Sequence, residues 1–397
     1  MAAINSGIQT YNFDAVQDHR YDGSIRWQQP GGRSDVIGMG TADLDYECAP
    51  CIKEALRSIW ERNVYNYKVK PETYYEAVSH WFQKKYQLPV QREWMSNVPG
   101  TIAAVCIAIK KFSRREDYIL MQTPYFDPLR QTIEGAGRKF LENPLILRNQ
   151  RYEIDFDDFE KKVKTYHPAI FLLINPHNPT GRVFTKTELE KMVEICAANG
   201  VRIISDEVHF LVTYGDNKHI PILAVSDKAR EISIQIFSFS KGFNMMSLPH
   251  GMVFIANAEM QTEWLDFLKP YNFHYASNPY AIAAATAAVG SEGEDWLQAL
   301  TEYLQSNLRL FMSEVERRRL PLNPLPPEAG YLLWIDCGKT NIPPEELSRH
   351  FLDRAGIHLN NGLDHGTAGR GFVRMNFAVT KLCLETALNR LTEMFTV

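Results

Sequence analysis

A chain of 397 residues with 45% hydrophobic and 23% charged content can bury a large core and is long enough for two domains. Its 43 Lys and Arg nearly balance 47 Asp and Glu, and no long like-charge run tracks a nucleic acid or an anionic membrane, so small-molecule chemistry is expected, without nucleic-acid or membrane partners. The first residues lack a basic stretch followed by an apolar core, no segment approaches the ~20 apolar residues of a membrane span, and six scattered cysteines argue against a disulfide framework; the expected location is cytoplasmic.

In chain order, Met1–Tyr46 is rich in Gly, Asp and Gln and shows no helix period. Cys48-Ala49-Pro50-Cys51 has the spacing of a redox or zinc half-site. No second pair lies at metal-finger distance, however, and Pro50 suits a helix start, so two small residues at a helix entrance are expected and no metal site. Apolar runs then alternate with amphipathic stretches: a helix over Ala103–Lys111, a strand over Tyr118–Met121, a helix over Pro128–Gly135, a strand over Ile170–Ile174 and a helix over Lys186–Ala198 stopped by Asn199-Gly200. Strands over Val201–Ser205, Ile234–Phe237 and Met252–Ile255 follow. That alternation predicts an α/β fold with a mostly parallel sheet. Beyond about Ala281 come a long charged helix over Trp296–Arg319, a Pro-rich stretch and a strand over Tyr331–Ile335, the pattern of a smaller α+β domain. The expected division is residues 1–46 as an N-terminal arm and part of the small domain, 47–285 as the large domain and 286–397 as the small C-terminal domain.

Four segments carry chemistry. Phe237-Ser238-Phe239-Ser240-Lys241 runs an apolar strand into hydroxyls and a lysine. Desolvation in a dry cleft would lower that amine's pKa and free it as a nucleophile, although a solvated loop lysine fits the same four letters. Ile203-Ile204-Ser205-Asp206-Glu207-Val208-His209 puts an acid at the carboxyl end of a buried strand, where open α/β sheets bind ligands; a helix-capping Asp is the alternative. Ile174-Asn175-Pro176-His177-Asn178-Pro179-Thr180-Gly181-Arg182 is a loop of fixed shape after another strand. Val98-Pro99-Gly100-Thr101-Ile102 opens a helix whose first amides can receive a phosphate.

Together these segments, in this order and spacing, resemble the fold-type I, aspartate-aminotransferase-like enzymes that use pyridoxal 5′-phosphate, with matches from about Ala42 to Ala378. The resemblance implies an aspartate-aminotransferase-like large domain and a catalytic Lys241 that carries the cofactor as a Schiff base. It further implies Asp206 as partner of the pyridine nitrogen, with Asn178 and His209 at the ring hydroxyl. Gly100, Thr101, Ile102, Ser238 and Ser240 would hold the phosphate. Tyr125, in Pro124-Tyr125-Phe126, matches the aromatic that stacks on the ring and takes part in catalysis. Tyr67 resembles the tyrosine lent to a neighbouring subunit's phosphate, which implies a homodimer with shared active sites. Arg374, in Gly371-Phe372-Val373-Arg374-Met375-Asn376, matches the arginine that pairs with a substrate α-carboxylate, with Ala42 also at the substrate.

Within that superfamily the chain is most similar to the carbon–sulfur lyases, cystathionine β-lyase and cysteine-S-conjugate β-lyase. The similarity rests on Ala42-Asp43-Leu44-Asp45-Tyr46, Ser205-Asp206-Glu207-Val208-His209, Lys241-Gly242-Phe243-Asn244 and Glu328-Ala329-Gly330-Tyr331. Many aminotransferases carry a phosphate-binding arginine eight residues past the lysine, where Pro249 stands here. The chain departs from the lyase branch at Gly242, at the run from Met245 to His250, at Gly330 and at His365-Gly366; Met245 and Met246 are expected to fill the core. The expected activity is release of a thiol, pyruvate and ammonia from cystathionine or an S-substituted cysteine. An aminotransferase is the second reading. A cofactor-binding regulator is the third, disfavoured because no helix-turn-helix precedes Ala42.

Overall fold

The computed structural model describes residues 11–15, 22–29, 33–273 and 278–396; the other parts of the expected N-terminal arm lie outside the described residues. Seven strands, β1 Met95–Val98, β2 Tyr118–Thr123, β3 Lys139–Pro144, β4 Ile170–Ile174, β5 Arg202–Asp206, β6 Ser233–Phe237 and β7 Gly251–Phe254, form one sheet in the order β1-β7-β6-β5-β4-β2-β3. Only β7 runs against its neighbours; β2 through β6 are parallel. The expected mostly parallel sheet is therefore present. Its central strands read as unbroken apolar runs because both faces are covered. In β4, Ile170, Leu172 and Ile174 enter one core while Phe171 and Leu173 enter the other.

Expected helices appear with shifted ends. The one over Lys186–Ala198 matches its observed span and starts with a capping box between Thr185 and Glu188. The first expected helix begins earlier, at Thr101, and we label it α1, Thr101–Phe112; Gly100 at φ 102° supplies the turn from β1. The long helix α2, Ser291–Arg317, also begins earlier, with Glu292 and Glu294 in its first turn facing the positive end of the helix dipole. Pro50 opens the helix Pro50–Arg62 and burial pushes the Cys48 and Cys51 thiols up, the bland reading of that motif. A short helix, Ile25–Gln28, stands in the segment that showed no helix period.

A second, antiparallel sheet joins β8 Asn323–Leu325, β9 Leu332–Asp336, β10 Asn360–Asn361 and β11 Phe372–Asn376 in the order β8-β9-β11-β10. The N-terminal segment reaches this region, since Ile37 and Gly38 pair in parallel with Ile357 and His358. Asn376, fully buried at the end of β11, fastens it further. Its amide donates to the carbonyls of Thr41 and Asp43 at 2.6 and 2.7 Å, and its oxygen accepts from the Ala378 N–H at 2.8 Å. Among the described residues no helix is long and apolar enough to cross a membrane.

Asn376→Ala removes three hydrogen bonds and leaves the Thr41 carbonyl and the Ala378 N–H without this partner, while the Asp43 carbonyl keeps the Arg26 guanidinium, so it should cost roughly 2 to 4 kcal/mol at about 1 kcal/mol or more per lost bond. Urea unfolding of the apoprotein measures this. A loss below roughly 1 kcal/mol would show that water replaces the side chain.

Candidate active site

The carboxyl ends of β4, β5 and β6 open into a cleft of about 300 Å³, where parallel sheets of this kind bind ligands. Asp206, the last residue of β5, and Asn178, in the loop after β4, line it. So do Ser238, Ser240 and Lys241 just past β6, His209 beyond β5, and Gly100, Thr101 and Ile102 at the start of α1. Ala42 closes it from the N-terminal segment. Residues from five stretches far apart in sequence therefore share one space.

Lys241 is half-buried, and the loss of water pushes its pKa down from 10.5 to about 8. Its ammonium donates to the Ala42 carbonyl, and the Tyr331 hydroxyl donates to the backbone carbonyl of Lys241 at 3.1 Å. Asp206 moves the other way: burial raises it to about 6, offset in part by the Val208 N–H that its carboxylate accepts at 3.2 Å. His209 is held neutral, near 3, by burial first and then by Lys241 and Arg374.

Arg374, on β11, is buried against the same cluster. Its guanidinium donates to Asn178 Oδ1 at 3.2 Å, to the Gly40 carbonyl at 2.9 Å and to Asn360 Oδ1 at 2.8 Å. Its Nε has no hydrogen-bond partner among the described residues, a buried donor left for an incoming acceptor.

Two expected residues stand elsewhere. Tyr125 is not on the cleft wall; Phe126 is. Tyr125 turns its ring edge onto Phe140, 5.3 Å between centroids, while its N–H and carbonyl bond His365 at 3.0 and 2.8 Å. The stacking and catalytic roles expected of Tyr125 are therefore corrected: Phe126 occupies the wall and brings no hydroxyl. A one-residue register inside a loop leaves no periodic signal in sequence. Tyr67 lies outside its own chain's cleft, 92% exposed. Met245 is buried in the core as expected, but Met246 lines the cleft.

These residues fit pyridoxal phosphate on their own chemistry. Asp206 is a buried carboxylate that makes no ion pair among the described residues, Lys241 lowering it only weakly, and a protonated ring nitrogen would supply one. The amides opening α1, with the hydroxyls of Ser238 and Ser240, form a donor set for a phosphate. Lys241 offers the amine between them.

Comparison with known proteins agrees. Residues 34–391 match the family described as aminotransferase class I and II. The chain is 30% identical to cystathionine β-lyase PatB of Bacillus subtilis over 384 residues, covering 96% of this chain and 98% of that one. It is also 30% identical to protein MalY of Escherichia coli over 379 residues, covering 94% and 96%. A pyridoxal-phosphate-bound C–S lyase of Staphylococcus hominis superposes with a TM-score of 0.90 at 29% identity, covering 98% and 99% of the two chains.

Because Asp206 holds its proton to about pH 6 in the fold but only to 3.8 in an unfolded chain, the folded apoprotein binds more protons between those values. Its stability therefore falls as pH rises through that window. Asp206→Asn should remove this penalty and raise apoprotein stability at neutral pH by roughly 2 to 3 kcal/mol, at about 1.4 kcal/mol per pKa unit, while weakening cofactor binding. Denaturant unfolding at pH 7 and pH 4 measures both arms, and a gain no larger at pH 7 than at pH 4 contradicts the account.

Proposed function

The chain belongs to the aminotransferase class I and II family and uses pyridoxal phosphate on amino-acid substrates, and we propose that its reaction is carbon–sulfur β-elimination from cystathionine or an S-substituted cysteine. Water is the co-reactant, and a thiol, pyruvate and ammonia are the products. The observation that carries this reading is likeness over nearly the whole chain, at 30% identity, to a protein named cystathionine β-lyase. Pro249, on the cleft wall where an aminotransferase-type arginine is absent, supports it.

When bound, the cofactor supplies an aldehyde for the substrate amine and a cationic ring that draws electron density from the substrate's α-carbon. This chain's residues do the rest. Asp206 would keep the ring nitrogen protonated, because a buried carboxylate with no ion pair gains from that partner. Asn178 stands at the ring hydroxyl. Arg374 presents its free Nε to the substrate carboxylate, and its bond to Asn178 ties the substrate end of the cleft to the ring. Lys241, its pKa near 8, is a competent base near neutral pH and takes the α-proton. With a thiolate on the β-carbon, the electron pair left behind breaks the C–S bond. Without such a leaving group, Lys241 can only return the proton, to the α-carbon or to the cofactor, and the latter is half of a transamination. Phe126 packs on the ring face in place of Tyr125.

The same reading extends to assembly. Tyr67, exposed on the segment between two helices, reaches the phosphate of a neighbouring copy in a homodimer, and residues 47–285 and 286–397 with the N-terminal arm act as two domains about the cleft.

Lys241→Ala should abolish turnover. Arg374→Ala should raise KM on the order of 100-fold, since a charged pair is worth roughly 2 to 3 kcal/mol, and spare the cofactor's absorbance. Cystathionine or S-methylcysteine should yield thiol and pyruvate in equal amounts, faster than any amino acid yields its keto acid. Stoichiometric conversion to the pyridoxamine form without thiol release would replace this reading with an aminotransferase.

A further inference from the structure

Behind the phosphate end of the cleft lies a second cavity of about 210 Å³. The two share Pro99, Pro249 and His250 as walls, and the side cavity adds Lys70, Asn97 and Asn278. A bound phosphate ester carries roughly −1.5 to −2 charge at pH 7, and a helix N-terminus answers only about half a unit. Among the described residues the cleft wall holds no lysine or arginine besides Lys241, whose amine is committed to the cofactor's other end. Pro249 has no N–H to give.

We propose that Lys70 and His250 form the cationic and hydrogen-bonding pole of the phosphate subsite, acting on the cofactor from the side cavity. The assignment rests on the phosphate lying at the start of α1.

Lys70 is half-buried, with no ion pair or hydrogen bond among the described residues, and the partial loss of hydration lowers its pKa. A partly desolvated ammonium without a counter-ion, on the wall of a cavity, gains from an incoming anion. His250 is oriented by a small relay. Asn97 donates to the Tyr74 hydroxyl at 2.9 Å, which leaves the tyrosine's own proton for His250 Nε2, also at 2.9 Å. That assigns the ring proton to Nδ1, which has no partner among the described residues. Burial first, and Lys70 second, hold the ring neutral, with its pKa near 4, so it acts as a neutral donor while Lys70 supplies the charge. The run from Met245 to His250, a departure from the lyase pattern, thus gains a use at its far end.

Apoprotein titrated with pyridoxal phosphate and, in parallel, with pyridoxal tests this, because the two ligands differ only in the phosphate. Lys70→Met should raise the Kd for pyridoxal phosphate about tenfold, the effect of one charge-assisted contact, and change that for pyridoxal less than about twofold. Lys70→Arg should restore binding, and unchanged pyridoxal binding reports an intact fold. His250→Ala should show the same selectivity with a smaller loss. Ser238→Ala controls for where the phosphate sits. If Ser238→Ala weakens pyridoxal phosphate and Lys70→Met does not, the Lys70 assignment is overturned and the phosphate position stands. If neither does, both fall.

Discussion

Withdrawing three ionisable groups from water at and beside one cleft is the constraint on which the rest depends. Asp206 and Arg374 are buried and Lys241 is half-buried, and for each of them lost hydration is the leading influence on its pKa. Lys241 and Asp206 shift toward each other, the amine down to about 8 and the carboxyl up to about 6, so neither is strongly committed to its charge at neutral pH. Such a cleft is poor for folding and good for a ligand that carries a ring cation, an aldehyde and a phosphate. Stability has to come from elsewhere in the molecule.

It comes from a sheet covered on both faces and from polar ties that hold the cleft's loops at fixed distances. The loop bearing Asn178 is fastened at its far end. Arg182 makes a two-pronged pair with Glu188 at 2.8 and 2.9 Å, and Glu328 accepts the Val183 N–H and the Arg151 guanidinium, each at 2.7 Å. Glu328 also gives its own N–H to the Gly181 carbonyl at 2.9 Å, so the loop after β4 and the approach to β9 move as one. Asn376 does the same for the N-terminal segment, setting Ala42 over Lys241. Arg374 shares a strand with Asn376, so the buried guanidinium and the tie that carries Ala42 are placed by one element.

The central strands and the helix Lys186–Ala198 were legible because buried parallel strands write themselves as apolar runs and amphipathic helices as a period near four. Strand β1, with Ser96 and Asn97 in its middle, gave no such signal; Ser96 is spent on the Trp264 indole at 2.8 Å and Asn97 on Tyr74. Edge strand β3, carrying Lys139, Glu142 and Asn143, was hidden for a related reason, since half of it faces polar surroundings. At the site, Lys241, Asp206, Asn178 and the start of α1 were readable because each belongs to a local run of residue types at or soon after a strand end. Phe126, Met246, Lys70 and His250 were not. Their positions depend on loop register and on contacts between segments far apart in the chain.

Two departures from the lyase pattern lie close to Lys241, and the structure gives each a backbone reason. A Cβ on Gly242 would stand 2.4 Å from the Leu211 side chain, so the short helix holding Lys241 can pack there only if the next residue has no side chain. Gly330 sits at φ 75°, a conformation costly for other residues, and its carbonyl accepts the Tyr214 hydroxyl at 2.7 Å. Neither substitution moves a charge or a proton donor relative to the reacting carbon. Another departure, the end of the run from Met245 to His250, places Pro249 and His250 on the walls shared by the cleft and the side cavity. The fate of the substrate's electron pair is therefore left to what all these enzymes share, a base at the α-carbon and a ring that accepts density, and to the leaving group the substrate itself brings.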